Sequence, residues 1–152
     1  MAKSLRVYCD ADVLIAGCAS DNERAAPLVL LTASEITLLD LITSDVAIEE
    51  CRRNLHRLVT QTRTRDALRS TLESIVHHAL DVVPPPPPSV EKHFRRRADA
   101  KDAVHLACAV EQACPFLITW NLNDYHPGHE AVTVLTPGAL VRRLRAHIKE
   151  IQ

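Results

Sequence analysis

Apolar residues recur along this chain in two rhythms, short runs of strand length and longer stretches at helical spacing. Leu5-Arg-Val-Tyr-Cys9 reads as a first buried strand, and a second apolar run, Val13-Leu-Ile-Ala16, follows almost at once. A helix is expected over 23–34, and Leu38 to Thr43 has the length and composition of a second strand. Ser44 then stands where an N-cap belongs, ahead of a long helix with Ala47, Cys51, Leu55, Leu58 and Thr62 as its inward stripe. Glu50 borders that stripe, while Arg52, Arg53 and Arg57 point elsewhere. Another helix spans 64–80, with Leu68, Leu72, Ile75, Val76 and Ala79 inward, and Asp81-Val-Val83 follows as a short edge strand.

Pro84 to Pro88 removes the backbone donors of successive residues, so it reads as an extended polyproline connector on the surface. A short helix carrying Arg95, Arg96 and Arg97 leads to the most informative stretch, 99–125. There Asp102, His105, Leu106, Ala109, Val110 and Ala113 share one face of an amphipathic helix that Pro115 closes. Phe116-Leu-Ile-Thr119 is a buried strand that delivers Thr119, Asn121 and Asp124 at its carboxyl end. Val132 to Leu135 is a last strand, and Pro137 fits the first turn of a final helix with Leu140, Leu144, Ile148 and Ile151 inward. Strands alternating with helices predict one α/β domain over 1–152, three layers around a mostly parallel sheet.

Composition narrows the function classes. A chain of 152 residues can bury about 70% of its unfolded surface and needs no staples. No apolar run approaches the ~18 residues of a membrane helix, and the start of the chain lacks a signal-peptide layout, so a cytoplasmic protein with no membrane partner is expected. The five cysteines contain no Cys-x-x-Cys pair and read as reduced, buried thiols rather than disulfides or a zinc site. With 18 Lys+Arg against 19 Asp+Glu there is no global basic field, so any polyanion must be met by local patches. Two Phe, two Tyr and one Trp weaken any reading that needs a base-stacking platform.

Asp10, Glu50, Asp102 and Asp124 stand out because each is tied to an apolar element. Each has an ordinary explanation: Asp10 or Asp12 as a turn cap, Glu50 as a solvated helix charge, Asp102 in an N-terminal box with Asp99, Asp124 in an Asx turn. Together, however, they reach one edge of the predicted sheet, where the carboxyl ends of strands place a site. Four carboxylates in proximity repel and raise one another's pKa unless a cation is present. Oxygen ligands at a mouth open to water suit Mg²⁺ or Mn²⁺, and such a site can activate water for phosphodiester hydrolysis.

With these acids in these positions the sequence resembles the PIN-domain nucleases, in particular the VapC-like toxins, over essentially its whole length. Val7-Tyr-Cys-Asp10-Ala-Asp12-Val-Leu-Ile-Ala16 is similar to the family's opening strand and first catalytic Asp, with Asp12 where Asn is usual. Ser44-Asp-Val-Ala-Ile-Glu-Glu50 resembles the second motif and selects Glu50 over Glu49. Asp102-Ala-Val-His-Leu-Ala107 resembles the third, selecting Asp102 over Asp99. Thr119-Trp-Asn121-Leu-Asn-Asp124-Tyr125 is similar to the Thr-x-Asn-x-x-Asp-aromatic ending. The resemblance implies an α/β/α fold, Mg²⁺/Mn²⁺-dependent cleavage of RNA, dimerisation, and a small cognate antitoxin. On this reading Asp10, Asp102 and Asp124 hold the metal and Glu50 orients or deprotonates the water. Thr119, Asn121 and Asp12 support the site from behind, and the resemblance leaves open whether Asn121, Asp124 or both reach the metal through water.

Arg52, Arg53 and Arg57, with Arg63, Arg65 and Arg69 beyond, are equally readable as RNA contacts or as solvated helix faces. His126-Pro-Gly-His129 lacks further spaced ligands and reads as a turn rather than a zinc site. His105, on an apolar face, reads as a packed histidine. A haloacid-dehalogenase-type phosphatase also begins with a strand and Asp-x-Asp, but Leu14 stands where such enzymes have Thr and the later Lys and Gly-Asp motifs are absent. A non-catalytic PIN-like interaction module would have weakened acidic motifs, and here all are filled.

Overall fold

The computed structural model describes residues 4–20, 25–35, 38–55, 57 and 64–151. Among the described residues five strands form one sheet: β1 (Leu5–Cys9), β2 (Leu39–Ser44), β3 (Asp81–Val83), β4 (Phe116–Ile118) and β5 (Thr133–Leu135). Their order is β3-β2-β1-β4-β5, and every neighbouring pair is parallel. The expected α/β sheet is therefore present, and its parallelism is complete.

Alternation along the strands divides the core. Val7, Cys9, Leu41 and Ile118 face one side, where they meet α1 (Ala11–Ala19), α2 (Ala26–Glu35), α3 (Asp45–Leu55), α4 (Arg65–Ala79) and α7 (Pro137–Ile151). Tyr8, Ile42 and Leu117 face the other, against α6 (Ala103–Glu111), with the short α5 (Pro88–Glu91) beside it. Ala103, Ala107 and Ala109 are wholly buried, so α6 seats its small side chains close to the sheet instead of showing one polar face.

Several local expectations shift. The second helix starts at Ala26 rather than 23, residues 21–24 lying outside those described. Helix α3 runs to Leu55; Leu58 and Thr62 of the expected stripe lie outside the described residues. Ser44 does cap it, accepting the Ala47 N–H at 3.2 Å. The proline run remains extended only through Pro87, because Pro88 takes the first position of α5, where a missing N–H costs nothing. Arg95–Arg97 do not form a helix: they make the turn after a 3₁₀ segment at Lys92–Phe94. Arg97 instead clasps the 126–130 turn, its carbonyl accepting the Gly128 N–H at 2.8 Å while its guanidinium donates to the Gly128 carbonyl at 3.2 Å. Strand β5 begins one residue late, at Thr133. The side chains of Ile148 and Ile151 in the final helix are outside the described set.

The end of α6 carries an unusual residue. Ala113 sits at φ +54°, with its N–H on the Val110 carbonyl and the Cys114 N–H reaching back to Ala109. This is a Schellman-type stop at the position where glycine is favoured. An L-residue pays about 1–2 kcal/mol there, and glycine returns part of that as chain entropy. Ala113→Gly is expected to stabilise the fold by about 0.5–1 kcal/mol and raise the melting temperature by about 2 °C. A lowered urea midpoint in that variant would count against strain at this residue.

Candidate active site

Strand order alone marks one place on the sheet. The chain winds outward from β1 through β2 to β3, then crosses back to β4, so the β1/β4 boundary is a topological switch point whose crevice opens at the carboxyl ends. Asp10 and Thr119 are the residues immediately past those two strand ends. The Asp10 N–H prolongs the ladder to the Ile118 carbonyl at 3.1 Å, and its Oδ1 accepts the Ala11 N–H at 2.7 Å as α1 begins. The residue is only 6% exposed. Oδ2 accepts the Tyr125 hydroxyl at 2.6 Å and lies 3.0 Å from Thr119 Oγ1.

The Thr119 hydroxyl is also 3.1 Å from Asp12 Oδ2. With one proton, it can serve only one of the two carboxylates at a time. Its oxygen accepts the Asn121 N–H at 3.1 Å. Asp12 Oδ2 takes the Trp120 N–H at 2.8 Å and Asn121 Nδ2 at 3.3 Å, whereas Asp12 Oδ1 is buried without a hydrogen-bond partner among the described residues. Trp120 itself is 47% exposed at this rim.

Two groups of potential ligands surround this centre. Asp99, Asp102 and Asp124 each offer an oxygen, and Asp10, Glu50 and His105 each offer an atom, with the atoms of each group within 4.8 Å of one another. Asp102, at the start of α6, is 7% exposed. The Asp99 N–H holds the Asp124 carbonyl at 2.7 Å, and Lys101 Nζ stands 3.5 Å from Asp124 Oδ2. On the other side, His105 is fully buried; Nε2 is 3.0 Å from Glu50 Oε1 and Nδ1 is 2.7 Å from the Tyr8 hydroxyl.

Burial, followed by the Asp10 charge, pushes the Asp102 carboxyl up to about 7, with His105 and Lys101 pulling the other way. The same two causes push Asp12 up to about 6. Burial opposes a charged His105, but the Glu50 hydrogen bond and the Asp10 and Asp102 charges outweigh it, leaving its pKa raised. Asp102 and then Asp124 likewise raise Lys101. An oxygen-rich cup with mutually repelling carboxylates and one orphaned buried oxygen fits a hard divalent cation such as Mg²⁺ or Mn²⁺.

Over residues 6–123 the sequence matches the PIN domain family. The chain belongs to that family. PIN domains are nucleases and generally use a divalent metal. A chain of VapBC2 from Rickettsia felis, in a crystal structure bound to a DNA fragment from their promoter, resembles this PIN domain with a TM-score of 0.63. The two are 8% identical, and the likeness covers 87% of this chain and 98% of that one. A chain of FitAB bound to an IR36 DNA fragment gives a TM-score of 0.56 at 16% identity, over 86% and 94%. At these identities what is shared is the fold. Comparison with curated proteins gave no match.

In this PIN domain the four acids selected from sequence divide between the two donor groups, Asp10 and Glu50 in one and Asp102 and Asp124 in the other, with the Asp10 charge acting on Asp102 and with Thr119, Asn121 and Asp12 interlinked beside Asp10. Sequence reasoning missed the parts of Tyr8 and His105, which read as apolar-face residues, and took Tyr125 only as the aromatic that closes the fourth motif; the fold brings His105 to Glu50, Tyr125 to Asp10, and Tyr8 to His105 and Ser44. Asp99, set aside from sequence, joins Asp102 and Asp124. The arginines separate. Arg52 is held by Glu49 at 2.8 Å and Glu73 at 3.0 Å, while Arg53 and Arg57 are exposed and Arg63 lies outside the described residues. His129 accepts the Ala131 N–H within a turn, and among the described residues neither it nor His126 joins a metal-donor group.

The raised acids set a pH dependence. Below about pH 4 both the folded and the unfolded carboxyls hold their protons. As pH rises toward about 6 for Asp12 and about 7 for Asp102, the unfolded chain releases protons that the fold retains, so stability falls. The raised His105 acts in the same direction, its stabilisation being lost as pH rises through its folded value. In chelator, melting is expected to drop by about 5 °C between pH 5 and pH 8, with Mn²⁺ restoring more at pH 8 than at pH 5. Equal Mn²⁺ shifts at both pH values would contradict a cation acting on these carboxylates.

Proposed function

We propose that residues 1–152 act as a single PIN domain that is a metal-dependent ribonuclease, hydrolysing RNA phosphodiester bonds as the toxin of a toxin–antitoxin pair. The observation that carries this reading is the convergence of Asp10, Glu50, Asp102 and Asp124 at the β1/β4 switch point. Asp10, Asp102 and Asp124 are the residues that would hold Mg²⁺ or Mn²⁺. Such an ion, when bound, neutralises the carboxylates, polarises a phosphoryl oxygen and acidifies water. The chain's own part is positional. Tyr125, Thr119 and the Ala11 N–H fix Asp10, and Asp12 and Asn121 fix the β4 end.

Glu50 Oε1 is taken by His105, and Oε2 carries no hydrogen bond from the described residues. That second oxygen, unengaged among the described residues, can orient a water and accept its proton as the water oxygen attacks phosphorus in line and the opposite P–O bond breaks, the leaving oxygen taking a proton from bulk water. Hydrogen bonding also argues against a phosphatase with Asp10 as nucleophile. Both of its oxygens are engaged by donors, which lowers their nucleophilicity.

RNA phosphates are met by Arg53 and Arg57, and by Arg52 to the extent that Glu49 and Glu73 release it. A small antitoxin is the proposed protein partner, supported by the VapBC2 and FitAB complexes among the fold's relatives, and a second copy of this chain is the proposed dimer mate. A cytoplasmic setting agrees with an RNA substrate and with the buried free thiols. No helix among the described residues is long and apolar enough to cross a membrane.

Incubation with a panel of RNAs and Mn²⁺ tests the reading. Asp10→Asn and Asp102→Asn are expected to keep the fold and lose cleavage by about a thousandfold. Full activity in Asp102→Asn removes that residue from the mechanism. For the arginines, Arg53→Gln with Arg57→Gln is expected to weaken RNA binding at every sequence and to reduce the log–log salt slope by about 1.4. Fluorescence of Trp120, the sole tryptophan, follows that binding, and an unchanged slope assigns both arginines to the solvated surface.

A further inference from the structure

We infer that His105 is a positioning residue that clamps the Glu50 carboxylate, and that Tyr8 and Ser44 hold the clamp in place. A continuous line of hydrogen bonds carries the argument. The Ala47 N–H donates to Ser44 Oγ at 3.2 Å, Ser44 Oγ lies 2.9 Å from the Tyr8 hydroxyl, Tyr8 lies 2.7 Å from His105 Nδ1, and His105 Nε2 lies 3.0 Å from Glu50 Oε1. Ser44, Tyr8 and His105 are all wholly buried, so water does not compete for these contacts.

The line begins and ends on α3, at its N-cap and at Glu50. Between those points it passes through β1 and α6, which belong to other layers of the fold. The proton positions are constrained. A carboxylate oxygen can only accept, so Nε2 bears a hydrogen. If the ring is neutral, Nδ1 accepts from Tyr8, which in turn accepts from Ser44. If it is charged, Nδ1 donates and the two hydroxyls reverse together. Glu50 receives the same Nε2–H in either state.

A ring nitrogen that donates has no lone pair for a cation. While it clamps Glu50, His105 therefore offers a metal no lone pair at Nε2, although it lies within ligand distance of Asp10 and Glu50. What it does is fix one carboxylate oxygen, so that the other is presented in one orientation. Partners of this kind typically govern rate by about 10–100-fold. The inference rests on the ribonuclease reading for its kinetic consequence and on hydrogen bonding alone for the clamp.

Kinetics of three variants, and spectra that add Glu50→Gln, test it. His105→Leu removes the donor, His105→Gln places an amide N–H near the position of Nε2, and Tyr8→Phe deletes one hydroxyl while keeping the ring. With RNA and Mn²⁺, His105→Leu is expected to lower kcat by about 10–100-fold, with KM and the calorimetric Mn²⁺ dissociation constant within about threefold of wild type. His105→Gln is expected to recover most of that loss, and Tyr8→Phe to fall between. Long-range ¹H–¹⁵N spectra of the metal-free chain are expected to show a protonated Nε2 that shifts in Glu50→Gln and an Nδ1 that shifts in Tyr8→Phe.

Wild-type kcat in a folded His105→Leu overturns the positioning role, and loss of Mn²⁺ binding there overturns it in favour of a ligand. Should His105→Leu fail to fold, the Gln and Phe variants carry the same comparison. If the wild-type protein cuts no RNA, the ribonuclease reading fails separately, and the spectra still decide the clamp: an unprotonated Nε2 overturns it, and the expected shifts uphold it.

Discussion

A buried carboxylate at the end of β1 is the constraint on which the site depends. Removing a charge from water is costly unless donors replace the lost hydration. Asp10 obtains those donors from the first turn of α1, from Thr119 past β4 and from Tyr125 in the 3₁₀ turn at Leu122–Tyr125. The start of α1 and the stretch from Thr119 to Tyr125, more than a hundred residues apart, are thereby committed to one point. Satisfying Asp10 and closing the β1/β4 boundary are the same event, which is why the site is built from the fold's own junction and not from a loop laid over it.

Satisfying one charge leaves its neighbours worse placed. Thr119 has a single proton to share between Asp10 and Asp12, and the Asp10 charge adds to burial in raising both Asp12 and Asp102. Lys101 supplies one compensating charge from the exposed side. The metal-free fold thus retains unrelieved repulsion at its centre, a local sacrifice of stability of the kind that functional sites carry. A divalent ion is the simplest species that turns the same geometry from repulsive to attractive.

Much of this was legible in the sequence because two periodicities and four acids coincide. Strand alternation at Val7, Tyr8 and Cys9 and helical spacing from Asp102 to Val110 give the layers, and carboxylates just past apolar runs give the site. The rest was hidden for identifiable reasons. Tyr8 and His105 occupy positions that patterning assigns to the core, and they are in the core; their polar ends matter only because Ser44 and Glu50 arrive from 36 and 55 residues away. Ala113 gives no turn signal, since alanine at positive φ is tolerated by the packing around it rather than favoured by its own chemistry. Arg95–Arg97 follow a helical turn, but the pairing of Arg97 with Gly128 ends it, a contact with no local trace.

The two faces of the sheet meet only at its carboxyl edge, and that is where the chemistry sits. Helix α3 packs on the face of Val7 and Leu41, whereas α6 packs on the face of Tyr8 and Ile42. The Glu50–His105 contact joins those helices around the end of the strands, and the Asp10–Tyr125 contact joins α1's first turn to the α6 side in the same way. Each bond has one partner from either layer, so a small slip of one helix layer against the sheet would separate both at once. Close packing resists such a slip: the small residues of α6 leave it little room to move. The precision of the acid cup is therefore a property of the packing on both faces, and the side chains that line it inherit their positions from Ala103, Ala107 and Ala109 as much as from one another.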